Sequence, residues 1–339
     1  MIIMQERRSS VKKIVENSNI LVTGGAGFIG SNLVEILLKQ GNRVTVLDNF
    51  STGKRENLAP FSGHSGFRLI EGDIRDYEQC RNAVRGMDHV LHQAALGSVP
   101  RSVKDPMTST AVNVLGFVNM LFAAQEAKIK RFVYASSSSV YGDNPALPKI
   151  EPETGNPLSP YAITKCTNEL YAKNFRDLYG IHTVGLRYFN VFGRRQDPAG
   201  AYASVIPKFI SALMRHESPV IYGDGSCSRD FTYIDNVLQA NQLALLADDP
   251  AALDQVYNVA YGEQTDLLQL FRLIREFLSE YDPEVSRIEP RFAANRQGDI
   301  PHSLADISRA QTLLGYSPAH SIRSGLKETV AWYFKNQTP

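Results

Sequence analysis

Cysteine is scarce in this chain, and the few cysteines lack the spacing of a disulfide framework or a zinc site. There are 3 in 339 residues, namely Cys80, Cys166 and Cys227, and none forms a Cys-x-x-Cys pair. An odd number without clustering is typical of proteins in a reducing compartment. The sequence therefore predicts no disulfide and no metal site, and it favours a cytoplasmic location.

An excess of charge of either sign is also lacking. Lys and Arg number 36 and Asp and Glu 35, for a net charge of +1, and the charges are scattered. Nucleic acids and anionic membranes are bound by concentrated basic patches, so we expect neither to be the main partner of this chain. We identify no run of about 20 apolar residues that would span a membrane. The charged segment 1–18 lacks the apolar core of a signal peptide, and we interpret it as a helical N-terminal extension.

A regular alternation of strand and helix patterns is present up to about residue 190, which is typical of βαβ units in a parallel sheet. Beyond it, Pro and Gly become frequent. We predict an α/β fold, with a Rossmann-type doubly wound parallel sheet at 19–190. A smaller mixed α/β substrate lobe follows at 191–339, with some segments returning to the first domain. The predicted strands are Ile20–Thr23, Arg43–Leu47, Phe67–Glu71, His89–His92, Phe132–Ala135 and Thr183–Leu186, and the predicted helices are Phe28–Gln40, Tyr77–Val84, Met107–Ala127, Tyr161–Tyr179, Ser204–Met214, Asp235–Ala247 and Leu267–Leu278.

A glycine-rich loop joins the first strand to the first helix. Gly24 permits a tight turn, Gly27 lets a pyrophosphate approach the backbone, and Gly30 lets the helix pack closely on the strand. The helix N-terminus adds amide donors and a positive dipole end. Turns also collect glycine, but the flanking strand and helix favour dinucleotide binding. The loop contacts then include Phe28 and Ile29.

Asp48 ends the second strand, about twenty residues past the loop. A carboxylate there accepts hydrogen bonds from ribose hydroxyls and repels a 2′-phosphate, and Asn49 rather than an arginine follows. This favours NAD over NADP, although a strand-end cap would look the same.

Tyr161 and Lys165 lie at i and i+4 on a predicted helix, so they share one face. A free phenol, with a pKa of about 10, is a poor base at neutral pH. A nearby ammonium favours the phenolate and lowers that pKa. The same spacing arises by chance in many helices, so the pair alone does not establish catalysis.

The context of the pair resembles the extended short-chain dehydrogenase/reductase family. A strand leads into Ser136-Ser137-Ser138-Ser139-Val140-Tyr141-Gly142, and Ser-Pro-Tyr-x-x-x-Lys follows. Further stretches resemble the UDP-hexose 4-epimerases, especially the UDP-N-acetylglucosamine 4-epimerase group. They are 92–95, 96–102, Asn113, 187–202 and 229–235.

The resemblance implies a role for each matching residue. Ser137, Tyr161 and Lys165 would be catalytic. The NAD contacts would include Gly72-Asp73-Ile74, beside the adenine, together with Gln93 and Ala94. The substrate residues would be Ser98, Ser137, Ser138, Ser139, Asn190, Ser204, Val205, Lys208, Val220, Tyr222, Arg229, Arg296 and Ser303. Of these, Asn190 and Arg229 would hold the diphosphate. The pocket for the uridine and phosphates would be lined by Ser204, Val205, Lys208, Val220, Tyr222 and Arg296. A homodimer built from the two long helices is a further implication.

The turn before Tyr141 distinguishes among the family's reactions. Related 4,6-dehydratases resemble one another in carrying acidic residues there, and decarboxylating relatives carry a glutamate, whereas this chain has Ser138, Ser139 and Val140. The resemblance therefore implies C4 epimerisation of a UDP-sugar. The sugar would be oxidised at C4 with bound NAD, would turn about its diphosphate, and would be reduced on the opposite face.

Substrate range is read from Ser303, which matches a position where hexose-only epimerases resemble one another in carrying tyrosine. A small residue would leave room for a 2-acetamido group, and Gly97 and Gln196 match other positions of that pocket. We expect UDP-GlcNAc and UDP-GalNAc to be preferred, with UDP-Glc and UDP-Gal as further substrates. The alternative is that Ser303 is an ordinary loop or helix-cap residue, and Gln264, where some acetamido members carry arginine, leaves uronic-acid sugars open. The rivals are a net nucleotide-sugar reductase or dehydratase and an NAD sensor on the same fold.

Overall fold

The computed structural model describes residues 14–199, 203–294 and 301–336. Most of the predicted N-terminal helix therefore lies outside the described residues. Residues 14–18, its last part, form no helix. Val15 is buried, and its carbonyl accepts a hydrogen bond from Asn42 Nδ2 at 2.7 Å. This hydrogen bond holds the start of the described chain against the hydrophobic core.

A seven-stranded parallel sheet forms the centre of the structure, with strand order β11-β6-β5-β4-β1-β2-β3. Its strands are rich in Val, Leu and Ile, and the central ones are buried on both faces because helices cover both. The bounds are β1 Asn19–Thr23, β2 Arg43–Asp48, β3 Phe67–Glu71, β4 His89–His92, β5 Arg131–Ser137, β6 Thr183–Tyr188 and β11 Gln255–Val259. The Rossmann-type α/β prediction is confirmed.

Helices flank this sheet and continue through the second half of the chain. They are α1 Phe28–Lys39, α2 Tyr77–Ala83, α3 Val99–Lys104, α4 Pro106–Thr110, α5 Gly116–Glu126, α6 Pro160–Tyr179, α7 Val205–Met214, α8 Ile234–Leu245, α9 Leu267–Ser279, α10 Ser308–Leu314 and α11 Ile322–Asn336. The predicted helices match the structure to within a few residues, but α3, α10 and the long helix α11 are not among them.

Within the described residues, the second half of the chain also forms three two-stranded sheets. They pair β7 Val191–Phe192 with β10 Thr232–Tyr233, β8 Val220–Tyr222 with β13 Arg291–Ala293, and β9 Ser228–Arg229 with β12 Thr265–Asp266. Strand β11, from the same half of the chain, instead pairs with β6 as the edge of the central sheet. The two halves are thus interleaved, and the carboxyl end of β6 lies between them.

One helical segment is more apolar than the sequence analysis allowed. The stretch Pro106–Glu126, which comprises α4, a π-helical turn at Ala111–Leu115 and α5, is long and apolar enough to cross a membrane. In the structure it packs against α2 and α6, with Phe117, Met120 and Leu121 fully buried. Neighbouring helices therefore bury part of its apolar surface. The prediction that the chain has no apolar run long enough to span a membrane is corrected.

Candidate active site

The loop after β1 has a shape that only glycine permits. Gly24 has φ +68°, and a Cβ there would lie 2.8 Å from Ala94 Cα. A Cβ on Gly30 would lie 2.1 Å from the Gly24 carbonyl oxygen. Gly27 caps α1 without any side-chain hydrogen bond. The N-terminal amides of α1 are thus left for a ligand, which fits the pyrophosphate of a dinucleotide.

Asp48, at the end of β2, is buried and holds this loop. Its Oδ2 accepts from Ala26 N and its Oδ1 from Phe50 N, both at 2.8 Å, while burial raises the pKa of the carboxyl. Each oxygen keeps a second lone pair for a ribose hydroxyl. Asp48 therefore orders the loop in addition to facing the cleft, a role that sequence reasoning did not anticipate.

Asp73 carries a cationic partner that sequence reasoning also missed. Arg75 Nη2 lies 2.6 Å from Asp73 Oδ2, and Asn49 Nδ2 donates to the same oxygen at 2.8 Å. The guanidinium of Arg75 lowers the pKa of Asp73 to about 2. The segment expected beside the adenine is therefore held at the rim of the cleft by an ion pair.

A cleft of about 390 Å³ runs from the glycine loop to the carboxyl ends of β4, β5 and β6. The structure brings together in it every residue that we expected to contact NAD, and Ser137 as well. These residues are Gly24, Gly27, Phe28, Ile29, Gly30, Asp48, Asn49, Asp73, Ile74, Gln93, Ala94, Tyr161 and Lys165. A site at the carboxyl ends of parallel strands is where open α/β sheets bind ligands.

Tyr161 and Lys165 project into this cleft from the first turns of α6. Ser159 caps the helix by accepting from Ala162 N at 3.1 Å, and Pro160 occupies its first position. Lys165 is buried, and its Nζ donates to the Ala135 carbonyl at 2.6 Å. Its Nζ lies 5.9 Å from the centre of the Tyr161 ring. Burial lowers the pKa of Lys165 to about 8.

Ser137 ends β5 beside these two residues. Its Oγ accepts from Ser139 N at 3.1 Å. Burial raises the pKa of Tyr161, whereas a hydrogen bond from the Ser137 side chain acts in the opposite direction by favouring the phenolate. The three expected catalytic residues are thus brought together at the inner end of the cleft.

Asn113, in the π-helical turn, supports the start of α6. Its Oδ1 accepts from Leu96 N at 2.7 Å, and its Nδ2 donates to Thr164 Oγ1 at 3.2 Å. Thr164 in turn donates to the Tyr161 carbonyl at 2.7 Å. The widened turn brings an amide side chain to this position, which is a common use of π-helical turns at functional sites.

A second cavity of about 790 Å³ adjoins the cleft, since Asn190 and Val191 line both. Arg229 on its wall is held by donating from Nη1 to the Ser228 and Pro301 carbonyls at 2.9 and 3.0 Å. Arg215 and Arg291, which sequence reasoning missed, line it too. The expected substrate residues on its wall are Asn190, Ser204, Val205, Lys208, Val220, Tyr222 and Arg229. Its basic, partly apolar wall suits a nucleoside diphosphate.

Among the residues that the structure describes, four expected substrate residues lie on neither wall. Ser98 caps α3 by accepting from Arg101 N at 3.2 Å. Ser138 and Ser139 form the short helical turn behind Ser137. Ser303 donates from its backbone N to the Ser228 carbonyl at 3.1 Å, next to Arg229. Arg296 lies outside the described residues.

His92, at the end of β4, is a buried side chain next to the cleft. It is 4% exposed, and its ring lies against Phe117 and Phe132. Its Nδ1 is 2.9 Å from Thr23 Oγ1, which accepts from Ala94 N at 3.2 Å. Only a neutral imidazole can accept from the threonine hydroxyl. Burial lowers the pKa of His92 to about 3.

We expect acid to destabilise the protein through His92. The unfolded chain binds a proton here as pH falls through about 6.5, but the folded chain does so only near 3, so stability present above pH 6.5 is lost between those values. The loss is about 1.4 kcal/mol per pH unit. A His92→Asn variant, whose side-chain oxygen can accept from Thr23, should lack it. Urea unfolding at pH 7.5 and 4.5 should show wild type losing about 2–3 kcal/mol more than the variant.

The control for this measurement is His64→Gln, because His64 is exposed. Its pH dependence should match that of the wild type. If His92→Asn and the wild type lost equal stability between the two pH values, the assignment of a buried neutral imidazole would be wrong.

Comparison with known proteins places this site in a family. A family model described as the NAD dependent epimerase/dehydratase family matches residues 20–260. A solved UDP-N-acetylglucosamine 4-epimerase from Methanobrevibacter ruminantium, in complex with UDP-N-acetylmuramic acid, is 42% identical. It has a TM-score of 0.88, with 95% of this chain and 100% of that one covered.

Two further relatives act on other UDP-sugars by name. A UDP-glucose 4-epimerase of Mycolicibacterium smegmatis is 38% identical over 320 residues, with 94% of this chain and 99% of the relative covered. A UDP-glucuronic acid 4-epimerase from Bacillus cereus, solved with UDP-glucuronic acid and NAD, is 32% identical with a TM-score of 0.83, covering 94% and 99%.

Proposed function

The chain belongs to the NAD-dependent epimerase/dehydratase family, and we propose that it interconverts UDP-GlcNAc and UDP-GalNAc by epimerisation at C4. Its relatives include NAD-dependent UDP-sugar 4-epimerases, and the chain is one of them. The choice among UDP-sugars is the part that we propose. A 42% identical structure of a UDP-N-acetylglucosamine 4-epimerase supports the acetamido sugars.

One observation carries the reaction type. Ser137, Tyr161 and Lys165 meet at the inner end of the cleft, where it adjoins the cavity suited to a nucleoside diphosphate. The turn behind Ser137 carries two serines and a buried valine, with no acid to protonate a leaving hydroxyl. Such a site can remove and return hydrogen at one carbon, but it offers nothing for dehydration. A protein that only senses NAD would not need this arrangement of Ser137, Tyr161 and Lys165.

We assign the proton at the sugar O4 to Tyr161. Bound NAD supplies a hydride acceptor and donor. The phenolate of Tyr161 takes the O4 proton on oxidation and returns it on reduction. Ser137 donates to the phenolate and thereby favours it, and the ammonium of Lys165 does so through its charge. Arg229 and Asn190 hold the diphosphate while the sugar turns.

The test is incubation of the purified protein with UDP-GlcNAc, UDP-Glc and the uronate of UDP-GlcNAc. C4 configuration is followed by NMR, and absorbance at the NADH band is recorded in parallel. We expect the acetamido pair to equilibrate faster than the plain hexose pair, without a stoichiometric rise in NADH. Exclusive turnover of the uronate, or accumulation of NADH, would contradict the proposal. The first outcome would indicate a uronate epimerase and the second a net redox enzyme.

Ser303 is our proposed determinant of the acetamido preference. A Ser303→Tyr variant should lose about tenfold or more of its kcat/KM for UDP-GlcNAc, because the ring fills the space for the acetamido group. Its kcat/KM for UDP-Glc should stay within about threefold, because the small 2-hydroxyl group does not need that space. Both are measured by coupled assay.

A Ser303→Ala variant is the matched control, and it should behave as the wild type with both sugars. Equal losses on both sugars in Ser303→Tyr would show that the residue acts on folding or binding in general, and not on substrate choice.

We further propose a cytoplasmic homodimer. Exposed apolar side chains lie along the long helix pair, with Met107 80% exposed and Leu170 and Leu178 more than half exposed. They belong to the segment Pro106–Glu126 and to α6, and a second copy would cover them. Light scattering should give twice the 37.7 kDa chain mass. A monomer at micromolar concentration would rule this interface out.

A further inference from the structure

A mostly buried carboxylate lies directly behind the proposed catalytic pair. Glu169 stands one helical turn beyond Lys165, so the two side chains share a face of α6. The side chain of Glu169 is 15% exposed, and that of its partner Arg187, on β6, is 4% exposed. Neither residue lines the cleft or the adjoining cavity. The reaction described above uses neither of them directly.

The carboxylate of Glu169 accepts three hydrogen bonds. Its Oε1 accepts from Ser136 Oγ at 2.5 Å and from Arg187 Nε at 2.9 Å, and its Oε2 accepts from Arg187 Nη2 at 2.7 Å. Ser136 stands between Ser137 and Ala135, whose carbonyl accepts from Lys165. A single carboxylate therefore fixes the end of β5 that carries both the catalytic serine and the acceptor for the lysine.

Glu169 also acts on Lys165 through its charge. Burial disfavours the ammonium and lowers its pKa to about 8, while Glu169 opposes this. Titratable groups near this pair include Tyr161 on α6 and His92 on β4, which interact with the lysine, and Tyr134 on β5 and Arg187 on β6, which interact with Glu169. The pKa of His92 is lowered and that of Tyr134 raised by burial, so both stay uncharged. The charge of Arg187 is paired with Glu169.

We propose that Glu169 is a positioning residue for the epimerisation: it fixes the strand end that carries Ser137 and supplies the negative charge that keeps Lys165 an ammonium beside Tyr161. The inference rests on the proposed function, because it requires Lys165 to act on Tyr161. When Lys165 releases its proton to solvent at high pH, the neutral amine no longer favours the phenolate. The alkaline limb of the kcat profile should therefore report the charge of Lys165.

The test measures kcat and KM against pH for the holoenzyme with UDP-GlcNAc. Glu169→Gln keeps the shape and an acceptor for Ser136 but removes the charge. Its alkaline limb should move down by about one pH unit, with kcat about tenfold lower beyond it and KM within about twofold. Arg187→Met leaves the charge of Glu169 unopposed, so its alkaline limb should move up. A merely structural pair would lower activity in both variants without moving the limbs in opposite directions.

A double variant guards against misfolding. Glu169→Gln leaves Arg187 buried without its partner, which can prevent folding. The double variant Glu169→Gln/Arg187→Met has no unpaired charge, and its alkaline limb should move down by less than in the single variant, because the opposing charge of Arg187 is removed as well. Glu169→Asp should recover part of the wild-type profile.

The outcomes separate this inference from the proposed function. Alkaline limbs that coincide with that of the wild type, in Glu169→Gln or in the double variant, would overturn the role of Glu169 alone. A wild-type protein without epimerase activity would overturn the proposed function itself.

Discussion

A Tyr161→Phe variant is expected to lose about 10³-fold in kcat on UDP-GlcNAc while keeping its bound NAD. The phenol is the group that would exchange a proton with the sugar O4, and its ring, which lines the cleft, is retained in phenylalanine. Turnover is measured by NMR of the C4 epimers, and bound NAD by absorbance after release from the denatured protein. Retention of NAD shows that the cleft is intact, so the loss can be attributed to the chemistry.

Tyr171→Phe is the matched control for this substitution. Tyr171 lies on the same helix, α6, ten residues further on, and it is 38% exposed. Its activity should equal that of the wild type. If Tyr161→Phe kept more than about a tenth of the wild-type kcat, another group would have to be the base, and the assignment of Tyr161 would be wrong.

The catalytic tyrosine depends on opposing electrostatic influences. Burial raises the pKa of Tyr161, and only charge or hydrogen bonding can bring the phenolate within reach of neutral pH. Ser137 provides the hydrogen bond and Lys165 the charge. The charge of Lys165 is itself opposed by burial, which lowers its pKa to about 8. The pKa of about 8 already includes the opposing charge of Glu169, and without that carboxylate we expect the pKa of Lys165 to lie lower.

The cofactor side of the fold was predictable because its residues are contiguous and locally constrained. The glycine loop lies between a strand and a helix, Asp48 ends the next strand, and Tyr161 and Lys165 share a helix turn. Each pattern has a short-range physical cause, such as a required positive φ at Gly24 or an i, i+4 spacing. The structure brings these residues together, as the sequence analysis expected.

The missed features depend on contacts between distant segments. Strand β11 joins the central sheet from the second half of the chain, and nothing in its five residues shows that it pairs with β6. Asn113, in the π-helical turn, is hydrogen-bonded to the distant residues Leu96 and Thr164. The role of Glu169 follows from Arg187, 18 residues away, and Ser136, 33 residues away. Such pairings are set by tertiary packing, which a local pattern does not report.

A Gly30→Ala variant is expected to lose bound NAD, with an affinity at least about 100-fold weaker. The added methyl carbon would lie 2.1 Å from the Gly24 carbonyl oxygen and 2.8 Å from Gly25 Cα, both backbone atoms of the loop. Neither can rotate away as a side chain would, so the loop or α1 must move. The displaced loop no longer presents its amides to the pyrophosphate. NAD content after purification and a binding titration measure the effect.

The Gly30→Ala substitution should also lower the free energy of unfolding by about 1–3 kcal/mol, because a group added to a close-packed site forces neighbouring atoms apart. Gly97→Ala is the control, because Gly97 lines the same cleft and a Cβ there meets nothing within 4 Å. It should retain NAD and stability. If Gly30→Ala bound NAD like the wild type, the close approach of α1 to the loop would not be what holds the cofactor.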